Sequence, residues 1–218
     1  MINDKKVVAI MPIKLKNERF QGKNIKLLGN KPLLQYQLEM LTRVSEIDEI
    51  YVYCSNPEIQ SYLIDGVKYL KRDLKLDLPT ANFSEIFKEF INDIDADIYV
   101  YTHATAPFVT DKTTRECIEA VAERGFDSSF CAVKIQDFLW KDNEPLNFDA
   151  QKIPRSQDLM PIWRETSGVY VFTKDTFINT GRRIGYHPFI KNVTLKESID
   201  INEPDDFLLA EIFNKEEK

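Results

Sequence analysis

This 218-residue chain has only two histidines, His103 and His187, and only three cysteines, Cys54, Cys117 and Cys131. No His/Cys cluster has the spacing of a zinc site. The cysteines are far apart and each lies in an apolar run, so they read as buried thiols of a reducing compartment and not as disulfides. There is no run of about 20 apolar residues and no signal-peptide core, which predicts a soluble, cytoplasmic protein with no membrane partner. A basic excess is missing too. The net charge is −6, which argues against a nucleic-acid partner, because non-specific binding of phosphate backbones needs surplus positive charge. Three catalytic signatures are also absent: G-x-x-x-x-G-K-[ST], G-x-G-x-x-G after the first strand, and the G-x-S-x-G elbow. The chemistry left open is carboxylate-based and metal-assisted, with basic groups to clamp phosphates.

The chain is 43% hydrophobic, and its length suits one domain that buries roughly 70% of the unfolded surface. Near-continuous apolar runs at Val7–Met11, Ile50–Cys54, Asp97–Thr102, Ser128–Val133 and Gly168–Thr173 read as strands buried on both faces. Helical patterns lie between them. Leu33, Leu34, Tyr36, Leu38, Leu41 and Val44 mark one. Phe83, Ile86, Phe87, Phe90, Ile91 and Ile94 form the single apolar stripe of another. Asn82 with Glu85 predicts a capping box at its start, and Ser55 with Glu58 predicts a further helix start of the same kind. A helix from about Lys112 to Arg124 is closed by Gly125, and a last helix runs from Pro204 to about Asn214. This alternation predicts a parallel α/β sheet, whose ligands bind outside the carboxyl ends of the strands. The stretch 136–166 is polar, aromatic and proline-bearing, and reads as an excursion, a lid or a dimerisation arm.

The first strand empties into a cationic loop that carries Lys14, Lys16, Arg19 and Lys23. Four basic side chains beside free backbone N–H groups can give the charge-assisted hydrogen bonds that polyphosphate oxygens require.

Four segments in order, VVAIMPIKLKNERFQGKN with GNKPLLQY, EIYVYCSNPEI, YTHATAPFVT and SIDINEPDDFLLAE, together resemble the acylneuraminate cytidylyltransferase family, the CMP-sugar synthetases. QDLMPIWRETSGVYVF is similar to the family's return to the sheet. The resemblance implies an α/β fold: a three-layer α/β/α sandwich built on a mostly parallel Rossmann-like nucleotidyltransferase sheet. It implies one domain over residues 1–218, with about 136–190 facing the acceptor and a homodimer partner. The implied reaction joins CTP to an acceptor sugar acid, giving a CMP-sugar and pyrophosphate with Mg²⁺, in a surface-polysaccharide pathway. A phosphorylated acceptor and a catalytically impaired nucleotide-binding homologue remain as alternatives. A glycosyltransferase would want D-x-D after a strand, whereas Asp95–Asp97 precedes one.

On this resemblance, Pro12, Lys14, Lys16, Arg19, Lys23 and Asn24 face the nucleotide, with Arg19 and Lys23 on its phosphates. Arg72 falls where the family reads cytosine, and Asn82 and Ser84 approach the base. His103 and Thr105 lie in the third turn, His103 in place of a glutamine-type residue. Gln157, Arg164, Glu165, Thr166 and Ser167 face the acceptor or the partner subunit, and Arg182 and Arg183 meet an acceptor carboxylate or the outer phosphates. Asp200 is the implied catalytic carboxylate and metal ligand. Two departures stand out. The first loop carries Leu15, Asn17 and Glu18 where the family is rich in glycine, so side chains must supply more of the grip. Asn202 replaces the second of two aspartates and is either a neutral metal ligand or a helix N-cap.

Overall fold

The computed structural model describes residues 1–215. Seven strands form one sheet: β1 (Val7–Ile13), β2 (Glu49–Cys54), β3 (Val67–Lys71), β4 (Ile98–Thr102), β5 (Ser128–Ile135), β6 (Ile162–Thr173) and β7 (Pro188–Asn192). Their order across the sheet is β7-β5-β6-β4-β1-β2-β3. All pairings are parallel except those of β6, which runs antiparallel to both β4 and β5. The helices are α1 (Leu33–Thr42), α2 (Phe83–Asp93), α3 (Asp111–Ala122), α4 (Lys174–Thr180) and α5 (Pro204–Lys215). The expected three-layer arrangement is present. Among the described residues no helix is long and apolar enough to cross a membrane.

Alternation along the strands divides the core. Val7, Ala9 and Met11 join Leu34, Leu38 and Leu41 of α1 and Cys117, Ile118 and Val121 of α3 on one face. Val8, Ile10, Tyr99, Tyr101, Tyr170 and Phe172 meet Phe87 and Phe90 of α2 and Phe177 of α4 on the other. Helix α5 packs through Phe207 and Ala210 on Leu28, Leu33, Phe108 and Ile201. The stripe of α2 buries Phe87 and Phe90 completely, each contributing about 1.5–3 kcal/mol. Its capping box is formed on both sides, between Asn82 and Glu85. All three cysteines are free and buried.

Three local expectations are corrected. Asn56, not Ser55, caps the turn after β2: its side chain accepts from the Glu58 N–H at 3.0 Å. The Ser55 hydroxyl is committed to Asp77 at 2.5 Å instead. The capped segment is a short 3₁₀ turn, Pro57–Tyr62, rather than an α-helix. The strand returning to the sheet starts at Ile162 rather than Gly168, with an irregularity between Glu165 and Tyr170. Strands β3 and β7 and helix α4 lacked a sequence signal altogether.

Candidate active site

The carboxyl ends of β1, β2 and β4 and the start of β6 lie at one end of the sheet, as their pairings require. The loop after β1 turns inward at Gly22, whose φ of 64° is one that side-chain-bearing residues adopt only with strain. The 3₁₀ turn that begins at the next residue buries Lys23 and Asn24. Lys23 Nζ donates to the Ile201 carbonyl at 2.7 Å. Burial pushes the Lys23 ammonium below its usual pKa, and the neighbouring Asp200 opposes the shift. Asn24 Nδ2 donates to the Lys14 carbonyl at 3.0 Å, so its amide holds the loop's own shape. Pro12 is half-buried within β1. Lys14 Nζ lies 3.6 Å from Glu18, and Lys16 is exposed.

Arg19 reaches across to the turn before α5. Its Nη2 donates to Asn202 Oδ1 at 2.6 Å, and its Nη1 lies 3.6 Å from Glu203. Asn202 Nδ2 in turn donates to Asp200 Oδ2 at 2.9 Å. Asp206 Oδ2 accepts the backbone N–H groups of both Asn202 and Glu203 at 2.8 Å. Helix α5 begins at Pro204, so the cap position is Glu203, and the Asn202 side chain is free for Arg19 and Asp200. Asp200 Oδ1 is buried and has no hydrogen-bond partner. The Ile201 N–H donates to the Thr105 carbonyl at 2.8 Å, tying this turn to the one after β4. That third turn is held from below, where the Thr102 hydroxyl meets the Gly168 carbonyl at 2.8 Å and Gln37 donates to the Ala106 carbonyl.

His103 lies between Tyr101 and Tyr170, with ring centroids 5.2 and 6.2 Å away. Its Nδ1 is 2.8 Å from the Ser167 carbonyl. A carbonyl can only accept, so Nδ1 carries the proton and Nε2 is the acceptor. Burial holds its pKa below the usual value. Beside it, Arg183 stacks on the Tyr170 ring at 3.7 Å and donates to the Tyr170 oxygen at 3.0 Å and to Glu165 at 3.3 Å. Tyr170 donates to Glu165 at 2.5 Å. Arg182 is exposed, 4.9 Å from the Tyr186 ring. Arg164 Nη2 donates to Ser198 at 3.3 Å. A cavity of about 560 Å³ opens here, lined by Arg164, Glu165, Ser167, Asp200, Asn202 and Asp206 with an apolar wall from Leu195, Leu209 and Phe213.

The structure therefore brings Arg19, Lys23, Asp200 and Asn202 into one contact network, with Thr105 on its edge. Arg164 and Glu165 line the same cavity, and Arg183 is bonded to Glu165. Other candidates have different surroundings. Arg72 is buried and donates to the Ile13 carbonyl at 3.0 Å and to Asp77, tying the end of β1 to the segment after β3. A second cavity of about 520 Å³ opens beside it at Ser55, Lys71, Asp73 and Leu74. The Asn82 side-chain oxygen is committed to the start of α2. Gln157 is exposed on a short 3₁₀ turn and accepts from Gln136 through its backbone carbonyl.

The Cytidylyltransferase family model matches residues 8–217 of the sequence. The chain belongs to the cytidylyltransferase family. It is 26% identical over 199 residues to an N-acylneuraminate cytidylyltransferase A of Danio rerio, covering 87% of this chain but 46% of that protein. The chain spans about half the length of the first such curated relatives it matches. It is 25% identical to a CMP-N,N'-diacetyllegionaminic acid synthase of Legionella pneumophila over 94% of this chain and 95% of the relative. A solved structure titled CMP:2-keto-3-deoxy-manno-octonic acid synthetase complexed with CTP superposes with a TM-score of 0.73, 15% identity, and coverage of 98% of this chain and 100% of that one. That likeness establishes the shared fold.

Within this cytidylyltransferase framework the sequence did not announce every contact. The Ile201 carbonyl that takes Lys23 is a backbone atom with no side-chain signature. Tyr170 reads as core from its apolar strand, yet its hydroxyl organises Glu165 and Arg183. Asp77, which joins Ser55 to Arg72, looks like any surface acid. Among the described residues no group of three or more His, Cys, Asp or Glu side chains could hold a metal ion, so a divalent cation would have the unpartnered Asp200 Oδ1 and would need its remaining ligands from outside the chain. In this arrangement the Asn202 oxygen is already engaged by Arg19 and its nitrogen by Asp200, which leaves one lone pair of that oxygen for a cation.

Proposed function

We propose that the protein transfers a cytidylyl group from CTP to a hydroxyl of a small acidic sugar, releasing pyrophosphate. The convergence of Arg19 and Lys23 from the first loop onto the Asp200 turn carries this reading. Two cations and one carboxylate meet where a parallel sheet receives ligands, in a chain of this family. The acceptor oxygen bonds to the α-phosphorus as the bond from that phosphorus to the α–β bridging oxygen breaks; pyrophosphate leaves with the electron pair, and the hydroxyl proton passes to solvent or to the departing pyrophosphate. Such a displacement depends on alignment and on charge neutralisation more than on covalent catalysis. Lys23, fixed by its carbonyl contact, and Arg19, which exchanges Asn202 and Glu203 for phosphate, bind the triphosphate. Arg72 sets the wall of the base pocket by holding the end of β1. Arg183, displaced from Glu165, pairs with the acceptor carboxylate. Asp200 holds Mg²⁺, which when bound neutralises phosphate oxygens and acidifies the attacking hydroxyl. Residues 136–163, with exposed Phe138, Trp140, Leu146, Ile153 and Met160, supply a homodimer contact, and light scattering of the purified protein reads its mass.

The test is thermal stabilisation by CTP, UTP, ATP and GTP, each with and without Mg²⁺, followed by pyrophosphate release with a panel of ulosonic acids. A nucleotide at 100 times its Kd adds about 2.7 kcal/mol to the native state. A shift with CTP well above the others is expected. No shift with any nucleotide would refute the assignment of Arg19 and Lys23.

A further inference from the structure

Glu197 is a buried carboxylate three residues before Asp200. Its Oε1 accepts the Thr113 hydroxyl at 2.6 Å, the Thr110 hydroxyl at 3.0 Å and the Thr110 N–H at 3.4 Å. Its Oε2 accepts the Thr194 N–H and the Thr194 hydroxyl, each at 3.2 Å. Thr110 is the N-cap of α3, so the charge lies at a helix N-terminus, which favours an anion. Burial alone would raise the Glu197 pKa, but the Thr113, Thr194 and Thr110 bonds outweigh it and hold the carboxyl below its usual range. Residues 194–199 form one tight turn, in which the Ser198 N–H donates to the Thr194 carbonyl at 3.1 Å and the Ile199 N–H to the Lys196 carbonyl at 3.2 Å. Glu197 bolts that turn to α3. Beyond the turn Ile201 is fixed again, by its N–H to the Thr105 carbonyl and by its own carbonyl to Lys23. Asp200 lies between the two fixed points.

We infer that Glu197 is a positioning residue for Asp200: by clamping the preceding turn to α3, it holds the Asp200 carboxylate at the cavity with one oxygen unpaired. The inference rests on the proposed cytidylyl transfer, in which Asp200 works beside the reacting phosphate. A buried carboxylate oxygen without a partner, such as Asp200 Oδ1, costs free energy. A turn free to shift would rotate until that oxygen met a donor, and Lys23 is near enough to feel the charge of Asp200. This turn does not shift, because its leading side is bonded to α3 and its trailing side to the third turn and Lys23. The same clamp seats Ser198, whose hydroxyl accepts from Arg164 at 3.3 Å, and with it Leu195 and Ile199 of the cavity wall. An apolar residue at 197 could fill the space but could not answer three hydroxyls and two N–H groups. Glu197 touches no substrate. It acts through the backbone that carries Asp200.

Two measurements on the full chain test this: hydrogen exchange by mass spectrometry, and pyrophosphate release with the ulosonic acid that the wild type turns over. Glu197→Gln puts an amide donor against the Thr194 N–H and opens the clamp. Thr113→Val, on α3 and outside the cavity lining, removes the shortest of its bonds and keeps the shape, while Thr113→Ser keeps the hydroxyl. Native far-UV circular dichroism confirms that each variant is folded. In Glu197→Gln, exchange over residues 198–203 is expected to be at least about tenfold faster, with β4 and β6 unchanged. Its kcat should fall roughly ten- to a hundredfold, as misplacement of a reacting group predicts, while KM for CTP stays within about twofold. Thr113→Val should show the same split in milder form, Thr113→Ser should restore the wild-type values, and the double variant should be no worse than Glu197→Gln alone. An unchanged kcat in folded Glu197→Gln overturns the inference, as does faster exchange spread over the whole sheet. So does a Thr113→Ser as impaired as Thr113→Val, or a double variant whose losses add. In each of those cases the wild type still transfers. A wild type that releases no pyrophosphate with any acid of the panel overturns the transfer reading itself, and this inference with it.

Discussion

On one face of the sheet Val7, Ala9, Met11, Val100 and Val171 meet α1 and α3 through aliphatic side chains, whereas on the other Tyr99, Tyr101, Tyr170 and Phe172 meet α2 and α4 through rings. The aliphatic face closes on itself. The aromatic face has polar tips that need partners, and these partners differ along its length. At the far end the Tyr99 hydroxyl is satisfied by the Ala96 N–H and the Ile94 carbonyl, each at 3.0 Å. At the ligand end the Tyr170 hydroxyl binds Glu165 and Arg183. Burial pushes the Tyr99 and Tyr101 hydroxyls up to about 12 and raises Tyr170 as well, so all three stay protonated donors. One layer of the core thus packs through aliphatic side chains and meets the third turn through the Gln37 amide of α1, while the other carries its rings and hydroxyls into the site.

The largest test of this contrast compares Phe87→Ala with Leu38→Ala. Both side chains are fully buried, and large-to-small truncation predicts losses of about 3–5 and 2–5 kcal/mol in urea denaturation. If the faces differ as described, residual folded Phe87→Ala also binds acceptor less well, while folded Leu38→Ala turns over normally. Equal effects on turnover would abolish the distinction. Next, Tyr170→Phe should cost only about 1 kcal/mol in stability yet weaken acceptor-dependent pyrophosphate release at least about tenfold (about 1.4 kcal/mol), because Arg183 and Glu165 lose the oxygen between them. Unchanged kinetics would make the hydroxyl structural only. Asn82→Ala removes the cap of α2 and should lower stability by about 1 kcal/mol with no change in the CTP-induced thermal shift. A lost shift would return Asn82 to the nucleotide.

The smallest effect is a pH slope. Burial, opposed by the Ser167 carbonyl, holds the His103 pKa below its usual 6.5. Above pH 6.5 the ring is neutral in native and unfolded chains alike, and the full stability is present. Below it the unfolded chain takes a proton that the native site refuses, so stability falls as pH drops toward the native pKa. His103→Gln should flatten the melting temperature over that window. An unchanged slope would assign it to another group.

The central strands were legible because strands buried on both faces leave near-continuous apolar runs. The capping box at Asn82 was local chemistry and visible as such; α3 ends at Ala122 with Glu123 as its cap, so Gly125, with its φ of 79°, turns the chain two residues beyond that cap instead of closing the helix. Strands β3 and β7 are edge strands with half-exposed residues, so neither has an apolar run. Helix α4 is seven residues long, too short for a periodic pattern. That β6 runs antiparallel is a property of the sheet's order, which no local window contains. In the site, the basic loop and Asp200 could be named from sequence. That Arg72 braces β1 and that Asn202 bridges Arg19 to Asp200 could not, since each depends on neighbours brought in from distant segments.

The contact between Lys23 and the Ile201 carbonyl spans 178 residues. At a synthesis rate of about 5–20 residues per second, the first loop leaves the peptidyl-transferase centre roughly 10–35 s before its partner is made. Through that interval strands β1, β2 and β4 can pair, but the loop's cations lack the turn that orders them. On a translating ribosome strands β1, β2 and β4, which end by Thr102, are therefore made well before the turn that completes the Lys23 contact, and a stalled nascent chain that ends before Ile201 would lack that contact.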